Sequence, residues 1–443
     1  MKKLIRILDS AKDLKEIEKL IDRRGLLTGE GEDARTRLRS VEEILRNVQL
    51  HGDQALLDYT KAFDQVELSR SELRVGKAEF DQAYREVAPE ELAALRTAKE
   101  NILRFHRRQL KNSWSVYEDN GVILGQRYIP LDSVGLYVPG GTGGLTPLVS
   151  SVFMNTLPAV VAGVGRIIIC TPPRADKSIN PYLLVAAAEA GIDEVYKVGG
   201  AQAIAAMAFG THTIPRVDKI VGPGNAYVTI AKRLVYGRVG LDMLAGPSEI
   251  LIVADHTAEP KLLAADLLSQ AEHDPMSGAI LLTPSSELIE ETAAELNRQV
   301  QVMPRREIAE AALRNFSALI RTADLAEAIE LANDCAPEHL ELIVEDPYLW
   351  LGRVKHAGAV FLGAYSPEPI GDYVAGTNHV LPTNGTARFA SALSVDDFVK
   401  KMSVISYTPA GVREYGPAAV RIARLEGLEA HAMAVELRLK EET

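Results

Sequence analysis

EILIVAD (249–255), EPKLLAADLLSQAEH (259–273), GAILLT (278–283) and SSELIEETAAELNRQV (285–300) follow one another in the chain. The first and third are short apolar runs without polar alternation, as expected of strands buried on both faces. The second and fourth place apolar residues at three- and four-residue spacing, as helices do. Strand–helix alternation of this kind predicts mainly parallel sheets covered by helices.

The pattern continues downstream through SALIRT (317–322), DLAEAIELANDCAP (324–337), LELIVED (340–346) and AGAVFLG (357–363). An equivalent series lies upstream. VGLYVP (134–139) leads to a helix near 146–162, RIIIC (166–170) to one near 180–190, EVYKVG (194–199) to AQAIAAMAFG, and DKIVG (218–222) to NAYVTIAKRLVYG. The expected fold class is α/β, with two Rossmann-like doubly wound domains joined near GLDMLAGPSE (240–249). Residues 11–110 read as helical, with SELRVG (71–76) as a short strand. From 364 to 395 periodicity is lost, and a loop that long is usually functional or disordered. The last 35 residues return to helix.

Composition narrows the function. The 443 residues are 47% hydrophobic and 25% charged with net charge -11, and no Lys/Arg block suggests a nucleic-acid or membrane partner. Two cysteines allow no disulfide framework beyond one bridge, and a reducing cytoplasm fits best. MKKLIRILDS lacks a signal-length apolar run. The most apolar stretch (145–164) carries Pro147, Asn155, Pro158 and Gly163, so it reads as a buried helix and its connection.

Gln270 and His273 are three positions apart at a helix end that Pro275 terminates. Alone, Q-x-x-H is an ordinary polar terminus. A zinc site needs further nitrogen and oxygen ligands, for which Asp372, His379 and His431 are candidates in unusual contexts. In CAPEHLEL (335–342), Glu338 and His339 start an apolar strand and offer two proton acceptors. A strand start is a mild argument against catalysis, because sites in open α/β sheets favour carboxyl ends. Cys335 offers a rival, thiolate attack on an aldehyde, although both cysteines also suit packing. VPGGTGG, KVGGAQAI and VGPGNAYV are glycine turns that could hold phosphate, yet none matches G-x-G-x-x-G.

Together, HGDQALLDYTKAFD, YVPGGTGGLTPLVSSVFMNTLPA, VGGAQAIAA, DKIVGPGNAYV, DMLAGPSEILIVAD, QAEHDP, APEHLEL, GDYVAGTNHVLPT and EGLEAHAMAV resemble the histidinol dehydrogenase family over residues 51–435. The resemblance implies a zinc- and NAD-dependent homodimer that oxidises L-histidinol through the aldehyde to L-histidine, the last step of histidine biosynthesis. It implies zinc, one per subunit, on Gln270, His273, Asp372 and His431, with Glu338 and His339 as catalytic bases. The substrate set would be Ser248, Gln270, His273, His339, Asp372, His379, Glu426 and His431. Tyr137, Gln202 and Asn225 would contact the dinucleotide. Four regions follow: a helical region (1–136) packing with the second α/β domain, a first α/β domain (137–248) on the dinucleotide side, a second (249–390) with metal and catalytic residues, and a helical tail (391–443) reaching the partner's site.

Overall fold

A computed structural model of the chain describes residues 4–23, 32–140, 148–244 and 246–440. Its strands, in chain order, are β1 (Arg6–Asp9), β2 (Trp114–Tyr117), β3 (Ile123–Pro130), β4 (Ser133–Tyr137), β5 (Arg166–Thr171), β6 (Val195–Lys197) and β7 (Lys219–Val221). There follow β8 (Gly240–Leu241), β9 (Glu249–Ala254), β10 (Gly278–Thr283), β11 (Ala318–Arg321), β12 (His339–Ile343), β13 (Ala359–Leu362) and β14 (Val399–Ser406).

The apolar runs form two parallel sheets. The first has order β6-β5-β4-β7-β8 and the second β1-β11-β10-β9-β12-β13. Each winds outward from a central strand, then returns to its other side, so the winding reverses between β4 and β7 and again between β9 and β12. In the second sheet Ile250, Ile252, Ala279 and Leu281 enter one core, while Leu251, Val253, Ile280 and Leu282 enter the other. That two-residue alternation with apolar side chains on both faces is why the runs carry no polar period. The apolar stretch at 145–164 contributes the helix Val149–Ala162, most of it buried. Among the described residues no helix is long and apolar enough to cross a membrane.

Three expectations change. The N-terminal region does not pack as a unit on the second sheet. Only its first part does so: β1 pairs with β11, and Ile17, Leu20 and Ile21 enter that core. Val41, Ile44, Leu45 and Val48, on the helix Glu32–His51, instead pack with β4, β5 and the helix Gly200–Phe209 of the first sheet. Their apolar stripe matches the Ala-rich surface of that helix, which admits close approach. SELRVG forms a 3-10 turn and a single bridge, Arg74 to Tyr196, instead of a strand. Finally, β14, β3 and β2 build a three-stranded antiparallel sheet that periodicity did not predict, followed by helices Pro409–Leu425 and Glu429–Lys440.

Candidate active site

The helix Leu325–Cys335 ends on Ala336, whose φ of 49° is left-handed, and Pro337 prevents its continuation. This sharp exit delivers Glu338 and His339 to the amino edge of the second sheet, beside the start of β9. Both are buried. Glu249 N–H donates to the Glu338 carboxylate at 3.0 Å, and the Glu249 carbonyl receives His339 Nδ1 at 3.1 Å. A carbonyl only accepts, so Nδ1 carries the proton and Nε2 is the face of the ring left for chemistry. Nε2 has no hydrogen-bond partner among the described residues.

What Nε2 faces is acidic. Asp372 Oδ1 lies 3.7 Å away and Glu368 Oε1 3.8 Å. These residues are four apart on the short helix Glu368–Tyr373 and share a face. The helix is pressed onto β13, because a Cβ on Gly371 would come within 2.5 Å of the Phe361 ring. Burial, strengthened by the Asp372 charge, pushes the Glu368 carboxyl well up. Burial acts the same way on Asp372, but the facing His339 imidazole and the positive field of His379 outweigh it and hold Asp372 down. Burial lowers His339, yet Glu338, Asp372 and Glu368 together carry it to about 10. Glu338 is pushed up to about 7, first by burial, with His339 opposing.

The other candidates fall into three groups. Gln270, on the last turn of the helix Pro260–Ala271, is buried with Oε1 unpartnered among the described residues. His273 lies just beyond it. Surrounding protein lowers its pKa and Asp372 opposes this, although the side chain remains open to solvent. His379 Nδ1 donates to the Asp372 carbonyl at 3.1 Å. Ser248 immediately precedes β9, half-buried, and its carbonyl accepts Gly278 N–H at 3.1 Å. His273 and His379 lie within the field of His339, and Ser248 adjoins the residue that holds Glu338.

Glu426 and His431 do not. Both are exposed on the C-terminal helix pair, whose anchoring hydrogen bonds run to residues 118–120. Among the described residues neither has a side-chain hydrogen bond or ion pair to the site. The side chains within metal-ligating reach of one another are His339, Glu368 and Asp372, their ligand atoms within 4.8 Å. Only Asp372 is shared with the expected metal set.

Sequence reading missed Glu368, together with Glu341 and Asp266 behind it. Glu368 N–H donates to Glu341 Oε1 at 2.8 Å. Burial raises Glu341 to about 8 and Asp266 to about 6. Glu341 could have been found, since an acid in a strand buried on both faces must have a polar partner. Glu368 sits in a proline-rich loop with no such signal.

At the first sheet the expected dinucleotide contacts gather at the carboxyl edge, across the β4/β7 reversal where open α/β sheets bind ligands. The buried Tyr137 hydroxyl accepts Gly200 N–H at 3.1 Å. Gln202, on the same helix, keeps Oε1 buried and unpartnered among the described residues. Asn225 caps the helix Ala226–Val235, accepting from Tyr227 and Val228 N–H. Gly222 has φ 107°, and a Cβ there would meet the Tyr137 carbonyl at 2.2 Å, so this crossing requires glycine. Most of the VPGGTGG turn lies outside the described residues. Cys170 and Cys335 are free and buried, and burial pushes both thiols far up, which disfavours a thiolate nucleophile.

A sequence model of histidinol dehydrogenase matches residues 28–439. The histidinol dehydrogenase of Thermosynechococcus vestitus is 51% identical over 438 residues, covering 99% of this chain and 100% of its own. That of Bacillus subtilis is 52% identical over 427 residues, covering 96% and 98%. The crystal structure of histidinol dehydrogenase from Elizabethkingia anophelis aligns with a TM-score of 0.92 at 40% identity over 99% of both chains. Fold and sequence agree: the chain belongs to the histidinol dehydrogenase family, a family of oxidoreductases.

Proposed function

We propose that the protein is a zinc- and NAD-dependent enzyme that oxidises L-histidinol to L-histidine through L-histidinal, a four-electron reaction ending histidine biosynthesis. The observation that carries this reading is the oriented Glu338–His339 pair, with Nδ1 of the imidazole tied to Glu249 and Nε2 free toward Glu368 and Asp372. In the first oxidation His339, neutral once zinc at Asp372 cancels the carboxylate field that protonates it, takes the hydroxyl proton on Nε2 as hydride leaves the carbinol carbon. In the second, Glu338 takes a proton from the water that adds to the aldehyde, and the hydrate then loses its hydride. NAD⁺ accepts one hydride in each step, so each histidinol yields two NADH.

The donor set suits a dication. Three carboxyls crowd one imidazole, and the Gln270 oxygen is buried without a partner among the described residues. Gln270, His273, Asp372 and His431 of the partner subunit would hold zinc, one per subunit, which when bound anchors and orients the substrate. Ser248, His379 and Glu426, with the metal-binding side chains and His339, would surround histidinol. The exposure of Glu426 and His431 supports a homodimer in which the helix pair Pro409–Leu425 and Glu429–Lys440 reaches the partner's site. Tyr137, Gln202 and Asn225 would line the dinucleotide site in a domain spanning 137–248, with substrate chemistry in 249–390. The free cysteines support a cytoplasmic setting.

The test is reduced-nicotinamide absorbance with zinc-loaded protein, NAD⁺ and L-histidinol. Two equivalents of NADH per histidinol are expected. No histidinol-dependent signal would sink the reading.

A further inference from the structure

The peptide of residue 249 holds both members of the catalytic pair, by its N–H to Glu338 and its carbonyl to His339. The Glu249 side chain is itself bound, and at depth. Its Oε1 accepts Asn384 N–H at 2.9 Å, and its Oε2 lies 3.4 Å from Arg23 Nε, both side chains 4% exposed. Arg23 Nη2 donates to the Met276 carbonyl at 2.6 Å. Arg23 belongs to the N-terminal segment and lies before the residues matched by the family model, which begin at 28.

This is a costly arrangement. A buried guanidinium must be paired and hydrogen-bonded to offset its desolvation, and apolar groups of similar volume often serve stability as well. Here Arg23 Nε and Nη1 have no hydrogen-bond partner among the described residues. A Cβ at Gly278 would fall 1.7 Å from Arg23 Nη1, so any side chain there would displace the guanidinium. Stability alone gives no reason for an ion pair at this place. Its contact with the one residue whose peptide orients both bases does.

We infer that Arg23 and Glu249 are positioning residues for the oxidation: their buried ion pair fixes the residue-249 peptide that aims Glu338 and His339. The pair acts with the Asn384 backbone as a two-sided clamp on the Glu249 carboxylate. It touches no reacting atom. A peptide displaced by about 1 Å can cost on the order of a hundredfold in rate, because the geometry of attack is lost while binding survives. The inference rests on the reading of Glu338 and His339 as the bases.

The test compares Arg23→Met, Glu249→Gln, their double variant and Gly278→Ala, each in the full-length zinc-loaded enzyme. Zinc content, thermal stability, and kcat and KM for histidinol and for the aldehyde are measured. Both single variants and Gly278→Ala are expected to lose kcat by about tenfold to a hundredfold in both half-reactions, with KM and zinc near parent values. The double variant leaves no buried charge unpaired. It is therefore expected to regain thermal stability but not kcat, and it carries the test if a single variant fails to fold. Recovery of kcat along with stability would reduce the pair to a structural ion pair and overturn the inference, as would single variants with parental kcat. Glu338→Gln and His339→Asn serve as references. If those two keep turnover, the reading of the bases fails; if they lose it while the Arg23 and Glu249 variants keep it, only the positioning role fails.

Discussion

Asp372 holds His379 through its backbone and faces His339 through its side chain: its carbonyl accepts His379 Nδ1 at 3.1 Å, and Oδ1 stands 3.7 Å from His339 Nε2. Movement of the Glu368–Tyr373 helix would therefore disturb two imidazoles at once. Two candidate ligand sets for the proposed metal meet at this residue. One is Gln270, His273 and Asp372 with a histidine from the partner; the other is His339, Glu368 and Asp372.

Substitution separates them. We predict that Asp372→Ala and His273→Ala each lose bound zinc and at least a hundredfold in turnover, since a methyl group cannot fill a coordination position. Glu368→Gln should keep one zinc per chain. Elemental analysis decides. Full zinc in His273→Ala together with loss in Glu368→Gln would move the metal onto the second set.

The second prediction concerns pH. Burial holds the Glu338 carboxyl near 7, above its ordinary value near 4.5, with His339 opposing the shift. Aldehyde oxidation needs the ionised form, so its rate should rise with pH through about 7 and level off above it. For stability the sign is reversed. The fold favours the protonated acid, so this contribution is complete below the ordinary value and is lost as pH rises through about 7. Glu338→Gln should then gain thermal stability relative to the parent at pH 8 but not at pH 4. An acid limb near 4.5 would refute the assignment of the water-activating role to Glu338.

The parallel sheets were legible because burial on both faces leaves a one-dimensional mark, as in EILIVA of β9 and GAILLT of β10. The antiparallel sheet was not. β14 is largely exposed, carries Lys400 and Lys401, and pairs with β3 far upstream, where Val399 meets Pro130. β1 is four residues long and owes its strand to an edge offered by β11, not to its own pattern. At the site, His339 and Asp372 were legible through motifs. Glu249 was hidden because an acid opening an apolar strand looks like a boundary. Only the fold reveals Arg23 as its counter-ion.

Neither thiol should be catalytic. Cys335 is buried 3% exposed, and burial and the nearby Glu249 charge raise its thiol far above the usual range. Cys335→Ser should keep most turnover and lose some thermal stability from a poorly satisfied buried hydroxyl. A fall of about a thousandfold in kcat, roughly 4 kcal/mol in the barrier, would revive the covalent route.

The last prediction addresses how the tail completes the site. His431 and Glu426 are exposed, while the helix pair carrying them presents Ile422, Leu425, Met433 and Leu437 to solvent. These are side chains that a second copy docked on the tail would cover. If the tail crosses a two-fold axis, each site draws His431 and Glu426 from one chain and Gln270, His273 and Asp372 from the other. His431→Ala and His273→Ala homodimers should each be inactive. Mixed under conditions that exchange subunits, they should form heterodimers in which one site carries both defects and the other neither. Activity should then return, up to about half of the parental value per heterodimer if the sites act independently. Zinc should return with it, at about one ion per heterodimer, a readout independent of turnover. If exchange is confirmed by mass and neither activity nor zinc returns, His431 serves the site of its own chain and the shared-site arrangement is wrong.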